Sequence, residues 1–535
     1  MKQNKTGMVL CPHPRAADVG VRILEAGGNA FDAAIATAFV QMIVGPFMCG
    51  IGGLVSAHLW ARSSGKHQVI EGAVQIGSKA YPDMWSQDYK GGRVPFSGAS
   101  ILDGFRSEIG YSSICVPGTV AAFGEIHSQY ATWPWADLLQ PAIRIAREGA
   151  QASPYMREYF LRKPYPGAPP NIDRIRASEA CARIYLHPDG SLFDEGEVIC
   201  NPDYANTLEI LAVRGWEEFY RGELAQTITE DLVKNGSWIT RQDLEQYHPQ
   251  VYTPSATTYR EYKVFSGGPL LLEALNILEC FDLTRLDHNG PEHIFLLADT
   301  LRLVLEDQPR FFGDPENMEK VLLDKKRAEQ LAKSHHTISA THRTGGSSAD
   351  TTHLVVVDGQ RNIASITHTI GYGSGVVTPG LGFIYNNLMA RLDPIPGHPN
   401  PIAPGKFVGI KRLMPTIVFQ DGEPRLILGA QGGNAILSAC LQTMSNVLDF
   451  NMTPVEAVSA PRIHAEGTTV WAEARIHAYT CDALMRKGYN VEHELSSYLP
   501  KLGQVQVAQM LSDGRLKGGS DPRGGGGVVM EVMAH

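Results

Sequence analysis

A chain of 535 residues that is 43% hydrophobic and 19% charged has globular composition and material for a large core, which excludes disorder as its default state. A formal charge of −9 supplies no field to gather nucleic acid or anionic lipid, so neither nucleic acid nor membrane is an expected partner and a small molecule is. The eight cysteines are scattered without C-x-x-C spacing, which argues against a disulfide framework and a zinc site and leads to no expected metal.

The first residues are basic, but Pro12, His13, Pro14 and Arg15 interrupt any signal-peptide core. No export signal is therefore expected, and a cytoplasmic location is. Apolar residues at helical spacing, Ala16, Val19, Ile23 and Leu24, predict a helix that Gly27-Gly28 stops, after which Asn29 can cap a second one. The apolar run Ala30 to Val44 contains Asp32 and Gln41 and falls short of the roughly 20 residues that span a bilayer, so it reads as a buried helix. It ends near Gly45-Pro46. Gly50-Ile-Gly-Gly53 then permits a tight turn before a strand at Leu54 to Trp60.

From Val116 to Lys333 the pattern is mostly helical, punctuated at Pro164 to Pro170 and at Gly267-Gly268-Pro269. Between Ser334 and Asp350 the composition turns to Ser, Thr, His and Gly without apolar periodicity, which predicts an exposed, flexible segment suited to a chain break. His353 to Val357 and Ile363 to Thr369 follow as two strands around a turn at Asp358-Gly359-Gln360, so a hairpin begins at Thr351. Short β-branched segments at Thr416 to Phe419, Arg425 to Leu428 and Val528 to Val532 alternate with a helix near Asn434 to Leu448. A layered α/β sandwich in one compact body is the expected architecture.

A threonine hydroxyl is a weak nucleophile near neutral pH and needs a base beside it. The α-amine of an N-terminal threonine, with an ordinary pKa of about 7.7 to 8.0, sits on the same residue and serves directly or through one water. Breaking the bond between Asp350 and Thr351 creates that amine, and a polar segment followed by a hairpin suits such a cut. Taken from the residues alone, Thr351-Thr352 reads far more readily as an ordinary strand opening.

Asp350-Thr-Thr-His-Leu-Val-Val-Val-Asp358 resembles the self-processing junction of the gamma-glutamyltranspeptidase family of N-terminal-nucleophile hydrolases. Gly27-Gly-Asn-Ala-Phe-Asp-Ala-Ala34, Gly50-Ile-Gly-Gly53, Val116-Pro-Gly-Thr-Val120, Phe219-Tyr-Arg-Gly-Glu223, Phe312-Gly-Asp-Pro315 and Asp521-Pro-Arg-Gly524 are similar to further family segments, so the likeness spans nearly the whole chain. The resemblance implies a four-layer αββα sandwich that cuts itself into a large subunit, 1–350, and a small subunit, 351–535, which stay together as one body. A dimer of these heterodimers is an assembly it allows. Thr351 is then the nucleophile, Thr369 the second catalytic threonine, and Gly432 and Gly433 the oxyanion hole, with no cofactor.

The donor-binding positions depart from the family. Its arginine after the first sheet strand matches Ala73, and Arg106 reads as a solvated surface residue. The acidic residue that meets a donor's α-amino group matches Arg391, a Ser-Ser pair matches Lys411-Arg412, and an asparagine matches Gly371. An ammonium group beside a guanidinium is repelled, whereas Arg391, Lys411 and Arg412 together could bind a carboxylate. Gly371 and Tyr372, in Gly371-Tyr-Gly-Ser-Gly375, are expected to wall the site. The expected substrate is a small anionic amide without an α-amino group, oxamate-like or glutaryl-like. The alternatives are gamma-glutamyl transfer or glutathione hydrolysis, and a non-catalytic binding scaffold. His335, His336, His342, His353 and His368 lack metal-ligand spacing, and Ser374 lacks the first glycine of a G-x-S-x-G elbow because Tyr372 stands there.

Overall fold

The computed structural model describes residues 7–93, 100–163, 170–307, 315–334, 351–395, 397, 400–524 and 528–532. The segment expected to be flexible (from residue 335), the cleavage residue Asp350, the punctuation at 164–169 and most of the Phe312-Gly-Asp-Pro315 motif lie outside the described residues.

Two antiparallel sheets organise the molecule. The first runs in the order Val528–Val532, Gly7–Cys11, Thr352–Val357, Ile363–Thr369, Leu54–Ala61, Lys66–Gly72 and Gln250–Tyr252. The second runs Ser255–Tyr259, Tyr262–Ser266, Thr416–Gln420, Glu423–Gln431, Gln504–Met510 and Leu516–Ser520. Side chains alternate across a strand, so each sheet has two faces to cover. Met8, Leu10, Val355, Val357 and Ile363 of the first sheet meet Ile417, Phe419, Ile427 and Ala508 of the second in one apolar layer. Their neighbours Val9, Leu354, Val356, Ala364 and Ile366 face the opposite way, into a core shared with the helices Ala30–Val44 and Thr119–Tyr130. On the far side, Val418, Leu426 and Leu428 pack with the helices Pro269–Leu278 and Ala435–Leu448.

The helix Ala30–Val44 is buried from Ala30 to Met42, as its apolar composition requires. Asn29 caps it in a reciprocal box with Asp32. Asp32 is tolerated inside because its carboxylate also accepts from the backbone N–H groups of Thr132 and Trp133 and from the Thr132 hydroxyl. The N–H of Ala30 donates to Asp358 Oδ2 at 3.0 Å, and Asp358 accepts from the N–H groups of Gln360 and Asn362, so one carboxylate ties the hairpin turn to the helix start.

The hairpin at Thr352–Val357 and Ile363–Thr369 and the strand Val528–Val532 lie where the sequence pattern puts them. The stretch from Val116 to Lys333 is mostly helical, as expected, with short strands added to it. It holds the long helices expected there, but also Gln250–Tyr252, Ser255–Tyr259 and Tyr262–Ser266, which supply edge strands to both sheets. These strands are short and half-exposed, so polar residues such as Thr257, Thr258 and Lys263 mask their alternation. All eight cysteines are free thiols, with Cys200 and Cys280 exposed. Among the described residues, no helix is long and apolar enough to cross a membrane.

Candidate active site

The central hairpin of the first sheet sets the site. Val355 and Val357 point between the sheets, so the two-residue period sends His353 and Thr351 the same way. Across the pair, Thr352 lies opposite His368, and one step outward brings Thr351 beside Thr369. Ser365 and Thr367 share that inner face, since His353 Nδ1 lies 2.8 Å from Thr367 Oγ1 and its Nε2 3.3 Å from Ser365 Oγ. Burial, with the charge of His368 as a lesser cause, holds His353 down to about 3, so its ring is neutral at working pH. The imidazole fits because position 429 is a glycine: a Cβ there would lie 2.2 Å from His353 Cε1.

Thr351 and Thr369 are both buried and line the same cleft, about 690 Å³ including its open mouth. Thr369 Oγ1 accepts the N–H of Gly371 at 2.9 Å. Gly371 has φ +72°, and a Cβ on it would meet Asn387 Oδ1 at 2.4 Å, the atom that accepts the N–H of Tyr372. The missing side chain at 371 is thus what lets Asn387 close this turn.

Gly433 lines the cleft beside Thr351. Gly432 lies just behind it, with φ +133°, and a Cβ on Gly432 would sit 2.8 Å from Gly503 Cα. Among the described residues, the rest of the wall is Asn434, aliphatic side chains including Leu54, Leu270, Leu305, Leu388, Val408, Met414 and Leu437, and the cations Arg391 and Arg412. Arg391 ends the short turn Leu388–Arg391 and has Tyr372, Glu108 and Glu466 as its electrostatic neighbours. Arg412 lies near Lys406, whose ammonium is lowered to about 8 by burial and by the Arg412 charge.

Two expected wall residues are elsewhere. Lys411 turns away: its ammonium pairs with Glu319 and sits 5.1 Å over the Tyr252 ring. Its left-handed backbone (φ +55°) aims its N–H at Glu71, whose oxygens accept it at 3.1 and 3.2 Å. Tyr372 does not itself line the cleft but is buried next to it, beside Arg391 and with its ring 5.4 Å from the Arg174 guanidinium. Three cations were expected to converge and two do. Ala73 is buried, Arg106 is exposed 3.7 Å from Asp88, and Ser374 donates to the Tyr385 carbonyl.

Sequence reasoning missed one polar residue of the cleft, Asn434, and one buried acid off it, Glu71. Asn434 lines the cleft and donates to Glu466 at 2.9 Å, and Glu466 reaches His464 at 3.2 Å. Glu71 is fully buried, and burial raises it to about 7 against the opposing hydrogen bonds from Tyr252 and Lys411. Its only sequence signal is an acid in the strand Lys66–Gly72, which lacks an amphipathic period to explain it.

The family model for gamma-glutamyltranspeptidase matches residues 16–531. The Acylase ACY 1 proenzyme of Pseudomonas sp. (strain V22) is 32% identical over 505 residues, covering 91% of this chain and 87% of the relative. The glutathione hydrolase proenzyme of Bacillus subtilis (strain 168) is 28% identical over 559 residues, covering 98% and 91%. The crystal structure of cephalosporin acylase from Bacillus halodurans superimposes with a TM-score of 0.84 at 28% identity, covering 98% of this chain and 96% of that one.

Proposed function

The chain belongs to the gamma-glutamyltranspeptidase family, and on that premise we propose that it is a self-processing amidohydrolase acting through a threonyl ester on an acyl donor that ends in a carboxylate. The sheets and their helices read as the four-layer αββα sandwich of N-terminal-nucleophile hydrolases, cut between Asp350 and Thr351 into 1–350 and 351–535. The acylase relatives and the acylase fold support this reading.

Once cut, Thr351 carries its own base. Its amine takes the hydroxyl proton, the oxygen attacks the amide carbon, and the N–H groups of Gly432 and Gly433 face the resulting oxyanion. Collapse expels the amine, which takes up the proton, and leaves an acyl ester that water resolves. Thr369, hydrogen-bonded to the Gly371 N–H, braces the nucleophile from the neighbouring strand.

The observation that carries the substrate reading is the wall composition: a cleft that starts at Thr351, is aliphatic along its length, and holds Arg391 and Arg412. Methylene groups cover such a wall and an arginine fork takes the terminal carboxylate. A glutaryl-like donor uses both features, while an oxamate-like one has no methylenes to bury. An α-ammonium group would face the two guanidiniums. Hydrolysis of glutaryl-4-nitroanilide against gamma-glutamyl-4-nitroanilide tests this. The expected outcome is a kcat/KM higher by about 10-fold or more for the glutaryl compound, the scale of one charged hydrogen bond. Faster glutamyl release would refute it.

A further inference from the structure

The signature Asp521-Pro-Arg-Gly524 is remote from the cleft wall, yet it begins a run of contacts that ends there. Arg523 is buried and grips Glu473 through Nε at 2.7 Å and Nη2 at 2.8 Å, while its Nη1 reaches Asp521 Oδ1 at 3.1 Å. The other Asp521 oxygen takes the Arg462 guanidinium at 2.8 Å and the N–H of Val505 at 3.2 Å. Two cations and two anions, each at most 2% exposed, thus pair in the interior, with the partly exposed Arg475 a third cation 2.9 Å from Glu473. Such a cluster holds its geometry because loss of any member strands a buried charge.

Arg462 carries this order to the glycine loop. Its Nη1 donates to the Gly503 carbonyl at 2.7 Å. Gly503, with φ +84°, is the residue against which Gly432 packs. The next residue, Gln504, pairs in register with Gln431, and its Oε1 accepts from Gln431 Nε2 at 2.5 Å. A Cβ on Gly524 would lie 2.6 Å from that same Oε1, so the last residue of the signature leaves room for the pair. Gln431 and Gly432 are therefore held from behind by elements that Asp521 and Arg462 tie down.

We propose that Asp521 and Arg462 are positioning residues for the oxyanion hole, fixing Gly503 as a backstop so that the N–H groups of Gly432 and Gly433 stay aimed at the reacting carbonyl. The inference rests on the oxyanion role proposed above for those glycines. Preorganised donors lower a barrier only while they stay in place, and a displacement near 1 Å costs on the order of 100-fold.

The test compares the self-cut enzyme with Asp521→Asn and Gly503→Ala, using glutaryl-4-nitroanilide as substrate, 4-boronobutanoic acid as tetrahedral analogue and glutarate as product ligand. Gly503→Ala leaves all four charges intact but places a Cβ 2.7 Å from that of Ala439, so it decides alone if Asp521→Asn does not fold. The expected result is a kcat lower by about 10- to 100-fold with KM within about twofold. Boronate affinity should fall by the same factor and glutarate affinity should not change. Wild-type kcat in a folded variant, or a lowered kcat with unchanged boronate affinity, would overturn the proposal. A wild-type enzyme that neither turns over the anilide nor binds the boronate would refute the acylase reading itself, a separate and recognisable failure.

Discussion

The ring of His353 occupies the volume that a side chain at Gly429 would need, so the two sheets touch here through an imidazole on one and bare backbone on the other. Gly429→Ala forces one of them to move. Overpacking of this kind costs about 1 to 3 kcal/mol. A lower melting temperature and reduced turnover are expected, since His353 lies two residues from Thr351, and calorimetry with an anilide assay checks both.

Thr351→Ala removes hydroxyl and attack together. Mass spectrometry of the purified variant should show one intact chain. The parent should show a fragment of 535 − 350 = 185 residues beginning at Thr351. A parent that remains uncut yet active would contradict the mechanism.

Arg412→Met removes a cation from the cleft wall and leaves the aliphatic stem. KM for a glutaryl anilide should rise by about 10- to 100-fold with little change in kcat, the scale of a charged hydrogen bond. Lys411→Met, whose ammonium is on Glu319, should leave KM within about twofold. Equal effects from the two variants would mean that the wall has been misassigned.

Burial holds His58, His293, His353 and His368 down to about 3, well below the ordinary 6.5. Their neutral rings stabilise the fold fully above about pH 6.5, where the unfolded chain is neutral as well. Below that pH the unfolded chain binds protons that the folded one refuses, and stability falls towards pH 3 by about 1.4 kcal/mol per pH unit per histidine. Denaturation midpoints between pH 8 and pH 4.5 should drop steeply on the acid side. A flat profile would show that these rings are protonated in the fold.

Much of the site was legible because it is local. The hairpin after Thr351 follows from period-two β-branched residues, and the helix starting near Asn29 from its cap. The family likeness supplied the roles proposed for Thr369, Gly432 and Gly433, which no spacing rule reaches. The failures involve partners far apart in the chain. Lys411 reads as a free cation until Glu71, 340 positions earlier, is seen to accept its backbone N–H and Glu319 to take its ammonium. Asn434 reads only as the start of a helix until the cleft forms around it. The edge strands were hidden because a half-exposed strand of three to five residues carries too few alternations to stand out.

The order of strands in the first sheet has a consequence for what self-cleavage can do. Gly7–Cys11 and Leu54–Ala61 flank the hairpin Thr352–Val357 and Ile363–Thr369, so backbone hydrogen bonds cross between the two products on both sides. Val528–Val532 adds a third joint on the other side of Gly7–Cys11, so either product alone would have a sheet broken at three places. Hydrolysis of one peptide bond would therefore change the connectivity of the chain without creating two separable proteins. Fragments that leave a denaturing column apart should melt together beforehand, as one cooperative transition.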